Sequence, residues 1–372
     1  MNRQARVRDA MRKADIDLLM VLHPVNINYL VGCRAKGYQE FQCLFFTLEP
    51  GPLTLLTRIT EVAELTDLSL ATGVRGWGRE PEDPVDVAEQ IMIEKGYLKR
   101  RIGLEIPRYH ITVPEYLKLK DFLGKALVMD ATRLVEELKF VKSPAELAYI
   151  RKAASIADMA MRTMVEVAKE GVSELEVAGE MHRTLMRMGG ELAASLMNLA
   201  SGERTGYCLG MPSERKLRRG DFVVVEYGVA YKRYTATIGR QLCLGEPSKR
   251  MKEIYQVVRE ASDAAISEIR AGVPCTVPHR AAKRVIGRAG LEQYRPHSTG
   301  YGIAPAFPPD WRESVQMDDT STYTLEEGMV LCVEPPVFIP GEKLGARLID
   351  NVIVTKTGAE LLSMFARDLI LL

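Results

Sequence analysis

Residues 221–245, DFVVVEYGVAYKRYTATIGRQLCLG, read as a strand, a short turn and a second strand. β-Branched and aromatic residues dominate both arms, and Lys232-Arg233 is the polar break between them. Glu226 closes the apolar run FVVV, and no further acid follows until Glu246. Two inward carboxylates on such a hairpin would point to a divalent-metal site. This hairpin supplies one carboxylate and then Thr235, Thr237 and Gly239.

The surrounding sequence places the hairpin in a larger unit. Upstream, Ser143, Pro144 and Glu146 form an N-cap, a first helical residue and a capping-box partner, opening a helix to about residue 169. Ser173 and Glu176 repeat the signature before a second helix that closes on Gly189-Gly190. Downstream come two more helices, about 248–271 and 277–289, then the strand pair GMVLCVEPPVFI (328–339) and ARLIDNVIVT (346–355). A helix-helix-strands pass used twice predicts pseudo-twofold α+β packing with a cleft where the halves meet. The first ~135 residues alternate helical and strand patterns, which predicts a small α/β domain with a mixed sheet. The expected domains are therefore 1–135 and 136–372. No glycine-rich loop follows a strand in the first, so nothing there reads as a nucleotide site.

Lys plus Arg number 50 against 49 Asp plus Glu, which gives no electrostatic reason to expect nucleic acid or an acidic membrane as partner. No apolar run reaches the ~18–20 residues needed to span a bilayer. The N-terminus lacks the apolar core and cleavage site of a signal peptide. Six scattered cysteines without CxxC spacing read as small buried thiols. A cytoplasmic protein is the expectation.

KFVKSPAELAYIRKAASIAD, PSERKLRRGDFVVVEYG, GMVLCVEPPVFIPGE and ARLIDNVIVT resemble the creatinase/aminopeptidase P/methionine aminopeptidase superfamily. The resemblance covers nearly the whole chain. It implies a creatinase-type N-terminal domain and a C-terminal domain of pita-bread fold. The superfamily's metallopeptidases hold two divalent ions with two aspartates, a histidine and two glutamates. Those positions fall here on Glu226, Thr237, Tyr301, Glu334 and Ile349, so only two carboxylates are kept. An assisting histidine falls on Leu209, and another on Pro308. Because isoleucine donates nothing to a metal, the resemblance points to the metal-free members, creatinase and ectoine hydrolase. YGIAPAFPPDWRE and KRYTATIGRQL are closest to the latter. The expectation is an enzyme without a cofactor: a metal-independent hydrolase of C–N bonds in a small non-peptide substrate such as a cyclic amidine, lactam, guanidino or ureido compound. It would act as a homodimer with a shared active site. A non-catalytic pita-bread binding module and a residual metal-dependent Xaa-Pro dipeptidase are the alternatives.

Glu226 is the candidate nucleophile or general base, unless it pairs with Arg233 or Arg240 across the hairpin. Glu334 is the second cleft carboxylate, and His297, in a glycine-flanked loop, the candidate for proton transfer. Tyr301 would meet the substrate or fill the vacated metal volume. On the resemblance, Tyr234 and Thr237 are further substrate contacts, and Asp310 and Trp311 form a lid or a packed turn. In the N-terminal domain, Tyr38, Glu40 and Gln42 lie in a segment that reaches a partner's active site in creatinase-like dimers.

Overall fold

The computed structural model describes residues 2–372, which divide into two compact units, one ending at Lys139 and one running from Phe140 to Leu372. In the N-terminal unit the elements run α1 (Arg3–Lys13), β1 (Leu18–Val21), α2 (Pro24–Val31), β2 (Cys43–Thr47), β3 (Thr54–Arg58), α3 (Val62–Leu68) and β4 (Gly73–Trp77). Then follow α4 (Pro84–Glu94), β5 (Ile102–Leu104), α5 (Val113–Leu123), β6 (Leu127–Asp130) and α6 (Thr132–Leu138). The strands form one mixed sheet in the order β4-β3-β2-β1-β5-β6. Leu19, Val21, Leu44, Phe46 and Leu55 bury one face, and Leu18, Met20, Cys43, Phe45 and Leu56 the other. Both faces are covered, so these strands are apolar without alternation.

Helix α2 escapes the apolar-period reading because all eight of its residues are buried. Its start is held by Glu105, which accepts from the backbone N–H of Leu22 (3.0 Å) and His23 (2.9 Å) and from Asn26 Nδ2 (2.7 Å).

The C-terminal unit begins with α7 (Pro144–Val167) and α8 (Glu174–Arg187), and both carry the capping boxes expected from Ser143/Glu146 and Ser173/Glu176. Strands β7 (Glu191–Leu192), β8 (Asn198–Ser201), β9 (Phe222–Tyr231) and β10 (Tyr234–Cys243) follow. Helices α9 (Lys249–Glu268) and α10 (Thr276–Arg288) open the second pass. It continues with β11 (Gly300–Phe307), β12 (Asp310–Met317), β13 (Val330–Val333), β14 (Val337–Ile339), β15 (Leu344–Ala346), β16 (Asp350–Val354), β17 (Ala359–Leu361) and β18 (Ile370–Leu371). The hairpin of β9 and β10 is in full register from Phe222↔Cys243 to Tyr231↔Tyr234. Its two-residue turn puts Lys232 (φ 51°) and Arg233 (φ 69°) in the left-handed region, the twist a tight antiparallel hairpin requires.

Each helix pair has its own core. Ile156, Met161, Met164, Val177, Met181 and Leu185 of α7 and α8 pack on Val223, Val225, Tyr227 and Ile238. Ile254, Val258, Ala265 and Ile286 of α9 and α10 pack on Val315, Leu331, Val333 and Val352. This is the α+β pita-bread arrangement, two similar halves over one ten-stranded sheet, seven strands ordered β17-β16-β13-β11-β10-β9-β7 with β12, β18 and β8 pairing onto β11, β10 and β9. Strand pairing between the β9–β10 hairpin and β11 or β16 is short, Tyr234↔Pro305 and a lone bridge of Gly239 to Ile349, and buried side chains such as Arg240–Asp350 also join the halves. A third, smaller cluster fills the seam: Ala194, Tyr301, Ile303, Ala306, Trp311, Cys332 and Ile349.

Candidate functional site

The seam cluster is flanked by the two retained carboxylates. Glu226 leaves the middle of β9 and is 6% exposed. Its Oε2 forms a close ion pair with Nη1 of Arg347 and accepts from Asn198 Nδ2 at 2.7 Å. Arg347 is itself 2% exposed, sends Nη2 to Cys208 Sγ at 3.2 Å, and lies over the Phe338 ring at 5.2 Å. The partner of Glu226 is therefore neither Arg233, which faces Glu191 at 3.6 Å, nor Arg240, which is fully buried against Asp350 at 2.8 Å. An acid already neutralised by a buried guanidinium is a poor free nucleophile, which corrects the role expected of it.

Glu334 has the opposite setting. It follows β13 and is 5% exposed, and among the described residues no cation is hydrogen-bonded to it. Oε2 accepts from the Tyr301 hydroxyl at 3.3 Å and from Cys332 Sγ at 3.4 Å, while Oε1 lies 3.8 Å from His297 Nδ1. Burial pushes its carboxyl up to about 7 against the relief of those hydrogen bonds. Burial also holds Tyr301 and Cys332 protonated, well above their ordinary values. Cys208 links the two carboxylates, since its thiol feels both the Arg347 and the Glu334 charge.

Around Glu334 the remaining site residues interlock. Trp311 Nε1 donates to the Tyr301 hydroxyl at 3.2 Å, and its ring packs in the seam cluster. Thr237 meets Asn351 and Cys332. His297 is drawn below its ordinary range by burial, and its Nδ1 is committed to the Ser298 carbonyl at 2.9 Å. Two predicted contacts are elsewhere. Tyr234 is a core residue, packed with Ile150, Val330 and Ile353 and donating to Glu146 Oε1 at 2.9 Å, which ties the hairpin to α7. Asp310 sits at the β11–β12 turn and pairs with Arg312 at 2.7 Å. Within the N-terminal unit, Tyr38 is half-buried and its carbonyl faces His110 Nδ1 at 3.2 Å. Glu40 is exposed, and Gln42 is turned inward to Thr57 at 2.9 Å.

Arg347, Asn198, Cys208, Cys332 and Asn351 were not singled out by sequence. Arg347 carried a usable signal: a lone cation inside the apolar stretch GARLI must be paired when buried.

The superfamily's two-metal centre does not fit these residues. Among the described residues no group of three or more His, Cys, Asp or Glu side chains is arranged to hold an ion. Ile349 is fully buried, and its Cγ1 would stand 2.6 Å from a Cβ on Gly239, so that position is closed by packing. Glu226 is occupied by Arg347, and Tyr301 directs its hydroxyl to Glu334.

A pita-bread unit behind a creatinase-like domain, with its polar groups at the seam of the two halves, defines a class of hydrolases. The chain belongs to metallopeptidase family M24, which it matches over residues 148–356, and residues 3–141 match the creatinase/prolidase N-terminal domain. It is 28% identical to an uncharacterized peptidase of Staphylococcus aureus, over 99% of this chain and 100% of that one. Among solved structures it resembles the Xaa-Pro dipeptidase from Bacillus anthracis, at 27% identity and TM-score 0.86, covering 100% and 99% of the two chains. The prolidase from Pyrococcus horikoshii is similar at 26% identity and TM-score 0.86, with 100% of both chains covered. These relatives carry peptidase names, which overturns the expectation of a metal-independent hydrolase of small non-peptide compounds. No helix among the described residues is long and apolar enough to cross a membrane.

Proposed function

We propose that the C-terminal unit binds a short peptide in the seam and acts on its amide C–N bond, with Glu334 as the group that moves the proton. The observation that carries this reading is a buried carboxyl brought to about 7 beside a donating tyrosine, in a chain of the M24 peptidase family. A carboxyl poised near neutrality can take a proton from water and return it to a leaving amine. Tyr301 supplies a hydroxyl donor beside it. The Glu226–Arg347 pair is the neighbour that holds the Arg347 side chain in place. Among the described residues the donor set does not provide for a metal ion.

Xaa-Pro dipeptides, the substrates in the relatives' names, are the first to test, with and without added Mn2+ or Co2+. Wild-type turnover should fall on the order of 10²- to 10⁴-fold in Glu334→Gln, the usual weight of general acid–base catalysis. Peptide binding without turnover would favour a second reading, a non-catalytic peptide-binding module. The dismantled donor set and the neutralised Glu226 are the observations in its favour. Association as a homodimer belongs to the same proposal, and a single-chain mass by light scattering would remove it.

A further inference from the structure

Two chains of side-chain donors end on the same oxygen of Glu334. In the first, Asn351 Nδ2 donates to Thr237 Oγ1 at 2.8 Å, and the Thr237 backbone N–H donates to Asn351 Oδ1 at 2.5 Å. The Thr237 hydroxyl then turns its hydrogen to Cys332 Sγ at 3.5 Å, and the Cys332 thiol donates to Glu334 Oε2 at 3.4 Å. In the second, Trp311 Nε1 donates to the Tyr301 oxygen at 3.2 Å, which leaves the Tyr301 hydrogen for Oε2 at 3.3 Å. An indole N–H and an amide NH₂ can only donate, so the direction of each chain is set at its origin. Oε1 has no hydrogen bond from the described residues. His297 Nδ1, 3.8 Å away, is committed to the Ser298 carbonyl.

We propose that Thr237, Asn351 and Cys332 on one arm, and Tyr301 and Trp311 on the other, are positioning residues for Glu334. They hold Oε2 inward and present Oε1 as the one oxygen a ligand meets. Oε1 then accepts a hydrogen bond from an N–H donor. The identity of that donor, a peptide amide or amine, rests on the proposed function; the orientation of the carboxyl does not. None of the five residues could be assigned this role from spacing, since Thr237 and Asn351 are 114 positions apart.

Carboxyl ¹³C resonances of glutamate-labelled protein test the orientation without any ligand, that of Glu334 being assigned by its loss in Glu334→Gln. At one pH, Thr237→Val and Tyr301→Phe should each shift this resonance while leaving the other glutamates in place. Thr237→Ser, which keeps the hydroxyl, should restore the wild-type position. A purely packing role would not distinguish valine from serine in this way. An unmoved resonance in both Thr237→Val and Tyr301→Phe overturns the proposal. With glycyl-proline as probe, calorimetry should show affinity lowered about fivefold in each of these two variants, the effect of one lost hydrogen bond. In a Glu334→Gln background neither should lower it further, and equal losses in both backgrounds would overturn the ligand-facing role of Oε1. Shifted resonances in a protein that binds no peptide would support the positioning and remove the peptide reading instead.

Discussion

Glu226 and Glu334 are both glutamates at the end of an apolar run and both about 5% exposed, yet they are electrostatically unlike. Glu226 shares its oxygen with a buried guanidinium and an amide, so its charge is matched inside the fold. Among the described residues the hydrogen bonds to Glu334 come from a hydroxyl and a thiol, with His297 at 3.8 Å and Arg312 acting only at a distance, so burial raises its carboxyl to about 7. What separates them is the formal charge of the neighbour, not depth of burial. In the function proposed above, one acid held by a cation and one left labile would confine proton transfer to a single point.

The largest expected effect breaks the matched side. Arg347→Met should leave Glu226 buried and uncompensated and lower the stability of the C-terminal unit by about 3–5 kcal/mol. Urea unfolding read as a shift in midpoint at unchanged slope measures it. A loss below 1 kcal/mol would mean that the pair is already solvated, and the contrast with Glu334 would fail.

The unmatched side should respond to pH. A carboxyl whose folded value is about 7, above its ordinary 4.5, binds its proton more tightly when folded. Its favourable contribution is full below pH 4.5 and is lost as pH rises through 7. From that difference the loss is about 3 kcal/mol. The stability difference between wild type and Glu334→Gln should therefore shrink or invert between pH 4.5 and 7.5. Measuring the difference cancels Glu105, which burial raises to about 7 in the N-terminal unit. A difference that stays flat across this window would place a hidden counter-charge at Glu334.

Gly239 and Ile349 pack against one another at the seam. Gly239→Ala would drive a methyl to within 2.6 Å of Ile349, and overpacking of this kind costs about 1–3 kcal/mol. Ile349→Ala in the same chain should recover part of that loss, by thermal unfolding, if the two residues close one volume.

The smallest effect is a control distant from both acids. Ser173→Ala removes the α8 capping box, with an expected loss of about 1 kcal/mol and no change in the pH profile assigned to Glu334.

Much of the scaffold was legible. Both capping boxes, the 222–243 hairpin, the four helices of the C-terminal unit and the mixed N-terminal sheet follow from local rules. Local rules missed α2, whose residues are buried all round, and the resemblance treated Tyr234 as a ligand contact although its ring completes a core cluster. At the site, Glu226 and Glu334 stood out because an acid in an apolar strand needs a reason. Their roles did not, since Arg347 is 121 residues from Glu226 and Tyr301 is 33 from Glu334.

By itself the sequence determined the helix-helix-strands passes, their capping boxes and the hairpin that carries Glu226. Each of these depends on residue type, period and order along the chain. Only the tertiary structure decided which carboxylate is neutralised by a cation and which keeps its proton. A pKa is set by the charges and donors within a few ångströms, and those arrive from distant segments when the two halves close on one another.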